Sequence, residues 1–266
     1  MKEQAAKVTF LGIVCLTSGL SMASENRNWG LQLGVTRTAN LFDRQDGNFS
    51  ESLDFQTNLR LTVSKNWNAG LGISYSRDQK RPENSSWSDL SLRLSRKGYE
   101  IGRWGKLSPS LISTLPTSVN SSQRQSLIAG LGGAMRLSLQ PTILTKGLNL
   151  GASLSLIRLI HEYETSTTGA VNTAWSSKQS IDASYETGRF NIGAGLSHRS
   201  SWSYQNVLRT SFEHFQELGY SATDNFSLAV GHSFGGPVFK PNGFESNFSL
   251  YNEDESMLYA TLNLSF

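Results

Sequence analysis

Apolar and polar positions alternate along most of this chain with a period of two. In LDFQTNLRLTVS (53–64), Leu53, Phe55, Leu59, Leu61 and Val63 fall on one face with Thr57. Asp54, Gln56, Asn58, Arg60, Thr62 and Ser64 fall on the other. That period belongs to a β-strand with one apolar and one polar face. Twelve residues is long beside the roughly five or six of an ordinary globular strand. The pattern recurs in Trp29, Leu31, Leu33 and Val35, in Ala69, Leu71, Ile73 and Tyr75, in Phe190, Ile192, Ala194 and Leu196, and in Leu258, Ala260, Leu262, Leu264 and Phe266. Twelve segments are predicted as strands: 28–38, 53–64, 68–77, 87–95, 107–116, 126–140, 148–162, 174–186, 189–200, 207–218, 224–234 and 256–266. Polar residues interrupt the rows at 107–116 and 207–218, so ten strands is the alternative. The one place with a helical signal is Gly98 to Lys106.

Long two-faced strands admit two architectures. A soluble sandwich puts the apolar rows inside, whereas a membrane barrel puts them against lipid and the polar rows around a lumen. Three features favour the barrel. Each apolar row spans the ~9–11 residues needed to cross a bilayer at barrel tilt. Connections alternate between tight (65–67, 145–147, 186–189) and long (39–52, 78–86, 163–173, 235–255), as barrel turns and loops do. The six tryptophans divide evenly: Trp29, Trp67 and Trp104 at the tight-turn ends, Trp87, Trp175 and Trp202 at the long-loop ends. Amphipathic rings prefer the two membrane interfaces, so this is an expected aromatic girdle. The predicted fold is therefore all-β: a closed antiparallel transmembrane β-barrel. Closure is required because an open edge in lipid leaves unpaired backbone groups. An even strand count places both termini in the periplasm.

The N-terminal stretch adds an export argument. Lys2 and Lys7 precede a short apolar core, VTFLGIVCL (8–16), and the segment ends Ser21-Met22-Ala23. This pattern predicts a secretory signal peptide cleaved after Ala23. Cleavage leaves 243 of the 266 residues, removes the single cysteine, and leaves 22 Lys and Arg against 20 Asp and Glu.

Composition narrows the chemistry. Hydrophobic residues are 38% and charged residues 17%, with 24 glycines. No Lys/Arg run suits nucleic acid. One Cys and four His exclude a Cys/His zinc site, and no cofactor or metal is expected.

The ending Leu258-Tyr-Ala-Thr-Leu-Asn-Leu-Ser-Phe266 resembles the terminal strand of Gram-negative outer-membrane barrels. That resemblance implies an outer-membrane location and recognition of the C-terminal strand, Phe266 above all, by the barrel assembly machinery. It identifies a class and no particular solute.

Parity assigns the lumen. Arg60, Arg93, Arg136, Lys178, Arg199 and Arg209 are expected inside, with Asp54, Asp89, Asp182, Glu186 and Glu213. The first reading is a narrow porin-like channel for small polar solutes or ions, with charged side chains selecting among them. A plugged structural or surface-interaction barrel, in which those charges pair, is the alternative. A third reading comes from His198-Arg199-Ser200, on the outward parity of Leu196. Outer-membrane lipid hydrolases that this stretch resembles carry His-x-Ser-Asn on the lipid-facing wall, with His as base and Ser as nucleophile. Here Ser201 replaces the Asn, and the 207–218 strand offers Thr210, Phe212 and His214 but no group to orient His198. The chain is therefore expected not to be an enzyme. The long segment 235–255 reads first as a solvated loop, with an inward constriction or a partner-binding surface as alternatives; its part Phe244 to Leu250 alternates as a wall extended above the membrane would.

Overall fold

The computed structural model describes residues 27–103, 105–139, 145–240, 242–252 and 255–266; the signal peptide expected at 1–23 and the girdle residue Trp104 lie outside them. The strands are β1 (Trp29–Asn40), β2 (Glu51–Ser64), β3 (Trp67–Asp78), β4 (Ser86–Trp87), β5 (Leu90–Arg96), β6 (Tyr99–Ile101), β7 (Gly105–Leu115), β8 (Leu127–Leu139), β9 (Leu148–His161), β10 (Thr173–Thr187), β11 (Phe190–Ser203), β12 (Leu208–Ser221), β13 (Phe226–Pro237) and β14 (Met257–Ser265). Twelve of them form a single antiparallel ring, closed where β2 pairs with β3 and β1 pairs with β14. The short β4 and β6 are extensions, lying beside β3 and β7 respectively. The two segments with broken alternation are full strands, β7 and β12.

The ring has a turn end and a loop end. Ser64 to Trp67, Gly188-Arg189 and 222–225 lie at the first, together with Trp29 and Phe266, whose strands close through Leu31 N–H to Phe266 O at 3.2 Å. Gly147 (φ +89°) shows what a tight turn demands: a Cβ there would sit 2.3 Å from the Glu186 carbonyl oxygen. The long connections 41–50, 79–89, 116–126, 162–172 and 238–256 all lie at the other end, with the short 204–207. Among the described residues of segment 98–106 there is no helix. The segment holds β6 and a turn through Gly102 (φ +53°), because Tyr99 to Ile101 finds a ladder partner in Gly105 to Leu107. The helical turns, at Pro82–Asn84 and Asn120–Arg124, sit in loops instead.

The two faces of the wall separate as the alternation requires. Leu131, Met135, Leu154, Leu156, Ile181, Ile192, Leu218, Val230 and Leu262 are all roughly half exposed. They share the outward parity and form the apolar belt. Trp29 and Trp67 open their strands at the turn end; Trp87, Trp175 and Trp202 stand at the loop end, the last two in register with each other. Rings gather near them: Phe190 lies 5.1 Å from Tyr220 at one margin, and Tyr75 lies 5.0 Å from Trp87 at the other.

The 238–256 segment departs from the expected wall extension. Its residues Phe248 to Tyr251 fold down over the outer face of β12 and β13. Phe248 packs 5.2 Å from Phe212, Tyr251 stacks on His232 at 6.1 Å, and Ser249 O accepts a hydrogen bond from His214 Nε2 at 2.9 Å. Phe234 beneath is 1% exposed. Covering explains the broken outward row of β12: a histidine at 214 is tolerable where a loop, not lipid, faces it. The loop's own bend is pinned by Lys240 Nζ donating to Glu245 at 2.9 Å, a hydrogen bond that holds the Glu245 carboxyl below its ordinary range.

Candidate functional site

The inward residues of adjacent strands meet in rows set by register. In the turn-side half, Gly70 of β3 is the register partner of both Arg60 of β2 and Arg93 of β5. Both arginines face inward, yet both are exposed, so solvent reaches this stretch of the inner wall. Arg136 of β8 continues the arc. It meets Asp182 of β10 through two parallel hydrogen bonds of 3.0 and 2.8 Å. The pair reaches across β9 at Gly151, where a Cβ would lie 2.5 Å from the Arg136 guanidinium and 2.6 Å from the Asp182 carboxylate. A glycine there lets a fork-to-fork ion pair form across an intervening strand.

Further toward the loops, Lys178 of β10 stands beside Arg199 of β11 in register, and both lie in the electrostatic reach of Glu213 on β12. Arg209 of β12 is exposed at the loop end. Glu217 accepts a hydrogen bond from the Tyr259 hydroxyl at 3.2 Å. Asp54 accepts from Ser52 Oγ at 2.9 Å. Asp89 lies just before β5 and holds the 116–126 loop through Ser118 N–H at 3.0 Å and the Ser121 hydroxyl.

The inner face of β13, β14 and β1 differs in kind. Thr36, Thr38, Ala229, Ser233, Tyr259 and Thr261 are all buried. Thr36 and Thr261 share a 2.9 Å hydrogen bond, and the Tyr259 ring fills the place that a side chain at Gly231 would take.

On the outer wall, His198 and Ser200 share one face of β11 with Gln179 and Ser177 of β10 as register partners. His198 Nδ1 lies 2.9 Å from Gln179 Oε1, and Gln179 Nε2 donates to Ser177 Oγ at 2.7 Å. A group that orients His198 therefore exists, on the neighbour opposite to the one that parity and motif suggested. Its sequence signal was a polar Gln in an outward row. Ser200 makes no side-chain hydrogen bond among the described residues. No cluster of three metal-ligating side chains exists among the described residues.

No protein-family profile matches the chain, and no characterised protein matches its sequence. Solved structures do. An outer membrane channel of Pseudomonas putida F1 superposes with a TM-score of 0.60 at 12% identity, over 90% of this chain and 95% of that one. The KdgM porin superposes with a TM-score of 0.51 at 10% identity, over 88% of this chain and 99% of that one. This chain shares the fold of outer-membrane β-barrels.

Proposed function

We propose that this barrel sits in a Gram-negative outer membrane and lets small polar solutes or ions diffuse through its lumen. The observation that carries the reading is an inward wall bearing Arg60 and Arg93, both exposed although they face the interior. A plugged barrel would pair or cover them, since an uncompensated charge in a dry interior is expensive. The fold shared with a channel and a porin supports the reading. The leader up to Ala23 would export the chain. Both termini would then be periplasmic, with Phe266 offered to the assembly machinery and the Trp girdles set at the two interfaces. Refolded protein in a planar bilayer is expected to give discrete conductance steps.

One observation favours a second reading: the outward pair of His198 and Gln179, with Ser200 two residues along. Such a trio could serve lipid hydrolysis. The absence of any hydrogen bond from Ser200 to His198 and of a charged orienting group argues for a non-enzymatic barrel. A phospholipid hydrolysis assay on Ser200→Ala and the parent separates the two, because only an enzyme loses activity.

A further inference from the structure

We propose that Arg60 and Arg93, standing either side of Gly70, form an anion subsite that makes the lumen selective for small carboxylates. This rests on the channel reading above.

The placement comes from register. Arg60 and Arg93 both pair with Gly70, so they leave one wall along one line. Two strand spacings separate their backbones by about 9.6 Å. Between them Gly70 presents no side chain, and a Cβ there would meet nothing nearer than 3.9 Å. The result is an open notch flanked by two guanidinium groups. Each guanidinium offers a planar fork matched to a carboxylate.

The charge balance gives the notch its sign. Among the described residues, neither Arg60 nor Arg93 has a carboxylate within ion-pair distance or a side-chain hydrogen bond. Of the other inward charges, Asp54 accepts from Ser52, Glu186 Oε1 has no hydrogen-bond partner among the described residues, and Arg209 is exposed at the loop end, while three further groups are engaged. Arg136 is held by Asp182, Lys178 and Arg199 lie in the electrostatic reach of Glu213, and Glu217 accepts a hydrogen bond from Tyr259. Arg136 lies within electrostatic reach of Arg93 and is itself paired with Asp182. Arg60 lies four residues from Ser64 at the end of β2, and Arg93 three residues from Arg96 at the end of β5. The subsite thus sits in the turn-side half, past the Lys178, Arg199 and Glu213 group for a solute entering from the loops.

The test uses the refolded barrel and the double variant Arg60→Gln/Arg93→Gln. Glutamine keeps length and polarity and removes charge. Heat-modifiable electrophoretic migration establishes that both barrels fold. In a KCl gradient the parent is expected to show a reversal potential of the chloride sign, and the variant one shifted toward zero. Added succinate is expected to block the parent, with the block weakened roughly tenfold in the variant, the equivalent of about 1.4 kcal/mol. A conducting parent without chloride preference, or a succinate block equal in both proteins, overturns the subsite. Phosphate blocking at lower concentration than succinate overturns the carboxylate assignment. A folded parent that passes no current overturns the channel reading itself.

Discussion

The lumen has two unlike walls. Along β2, β3 and β5 the inward surface is open at one level: Arg60 and Arg93 are exposed and Gly70 leaves a notch between them, while one step toward the loops Asn58 and Ser91 close on Gly72. Along β13, β14 and β1 it is packed: Thr36, Thr38, Ala229, Ser233, Tyr259 and Thr261 are buried, and Tyr259 fills the glycine gap at Gly231. Both stretches obey the same alternation of apolar and polar residues. What differs is how the inward side chains meet. One hydroxyl pair, Thr36 with Thr261, and the Tyr259 ring close one side; on the other stand two arginines with no carboxylate within ion-pair distance among the described residues. On the channel reading proposed above, the route through the barrel would be eccentric, running along the basic wall.

Substituting the glycine on each wall breaks the comparison most sharply. A Cβ at Gly231 would fall 2.4 Å from the Tyr259 ring and 2.6 Å from the Gln216 carbonyl oxygen. Gly231→Ala is expected to destabilise the barrel by about 1–3 kcal/mol, read as a lower melting temperature of the compact form on electrophoresis. Gly231→Leu is expected to yield none of that form. On the open wall, Gly70→Trp should fold as the parent does and reduce single-channel conductance several-fold. A parent-like conductance from Gly70→Trp would remove the route from this wall.

A smaller effect is expected at the seam between the arcs. Asp182→Asn leaves Arg136 without its carboxylate. Arg136 is 40% exposed at its side chain, so water screens the loss and the cost in stability is about 1 kcal/mol. Chloride preference should rise, since another cation is uncompensated. The smallest effect is expected on the outer wall, where Ser200→Ala should change neither melting nor conductance.

Much of this was legible in the sequence, for a physical reason. A strand in lipid must hide every backbone group in a ladder and turn one face to acyl chains, so its two-residue period is strict and long. That period placed the twelve ring strands, the outward Leu156 and Ile192, and the inward Arg60 and Arg93. Register left no such trace. Arg136 meets Asp182 across β9 only because Gly151 lies between them, and nothing local marks that meeting. Gln179 lay in a row otherwise apolar at Ile181 and Ala183, and its partner His198 is 19 positions away. The 238–256 segment misled for the opposite reason. Phe244 to Leu250 alternates as a strand would, yet Phe248 belongs to packing against Phe212 and His214. Alternation reports two unlike faces, whichever structure supplies them.

Single-channel recording on the refolded barrel puts the central claim to its most direct test. A lumen that water enters along Arg60 and Arg93 gives discrete, repeatable conductance steps. A preparation that is folded by heat-modifiable migration, inserts into the bilayer and carries no current would contradict it.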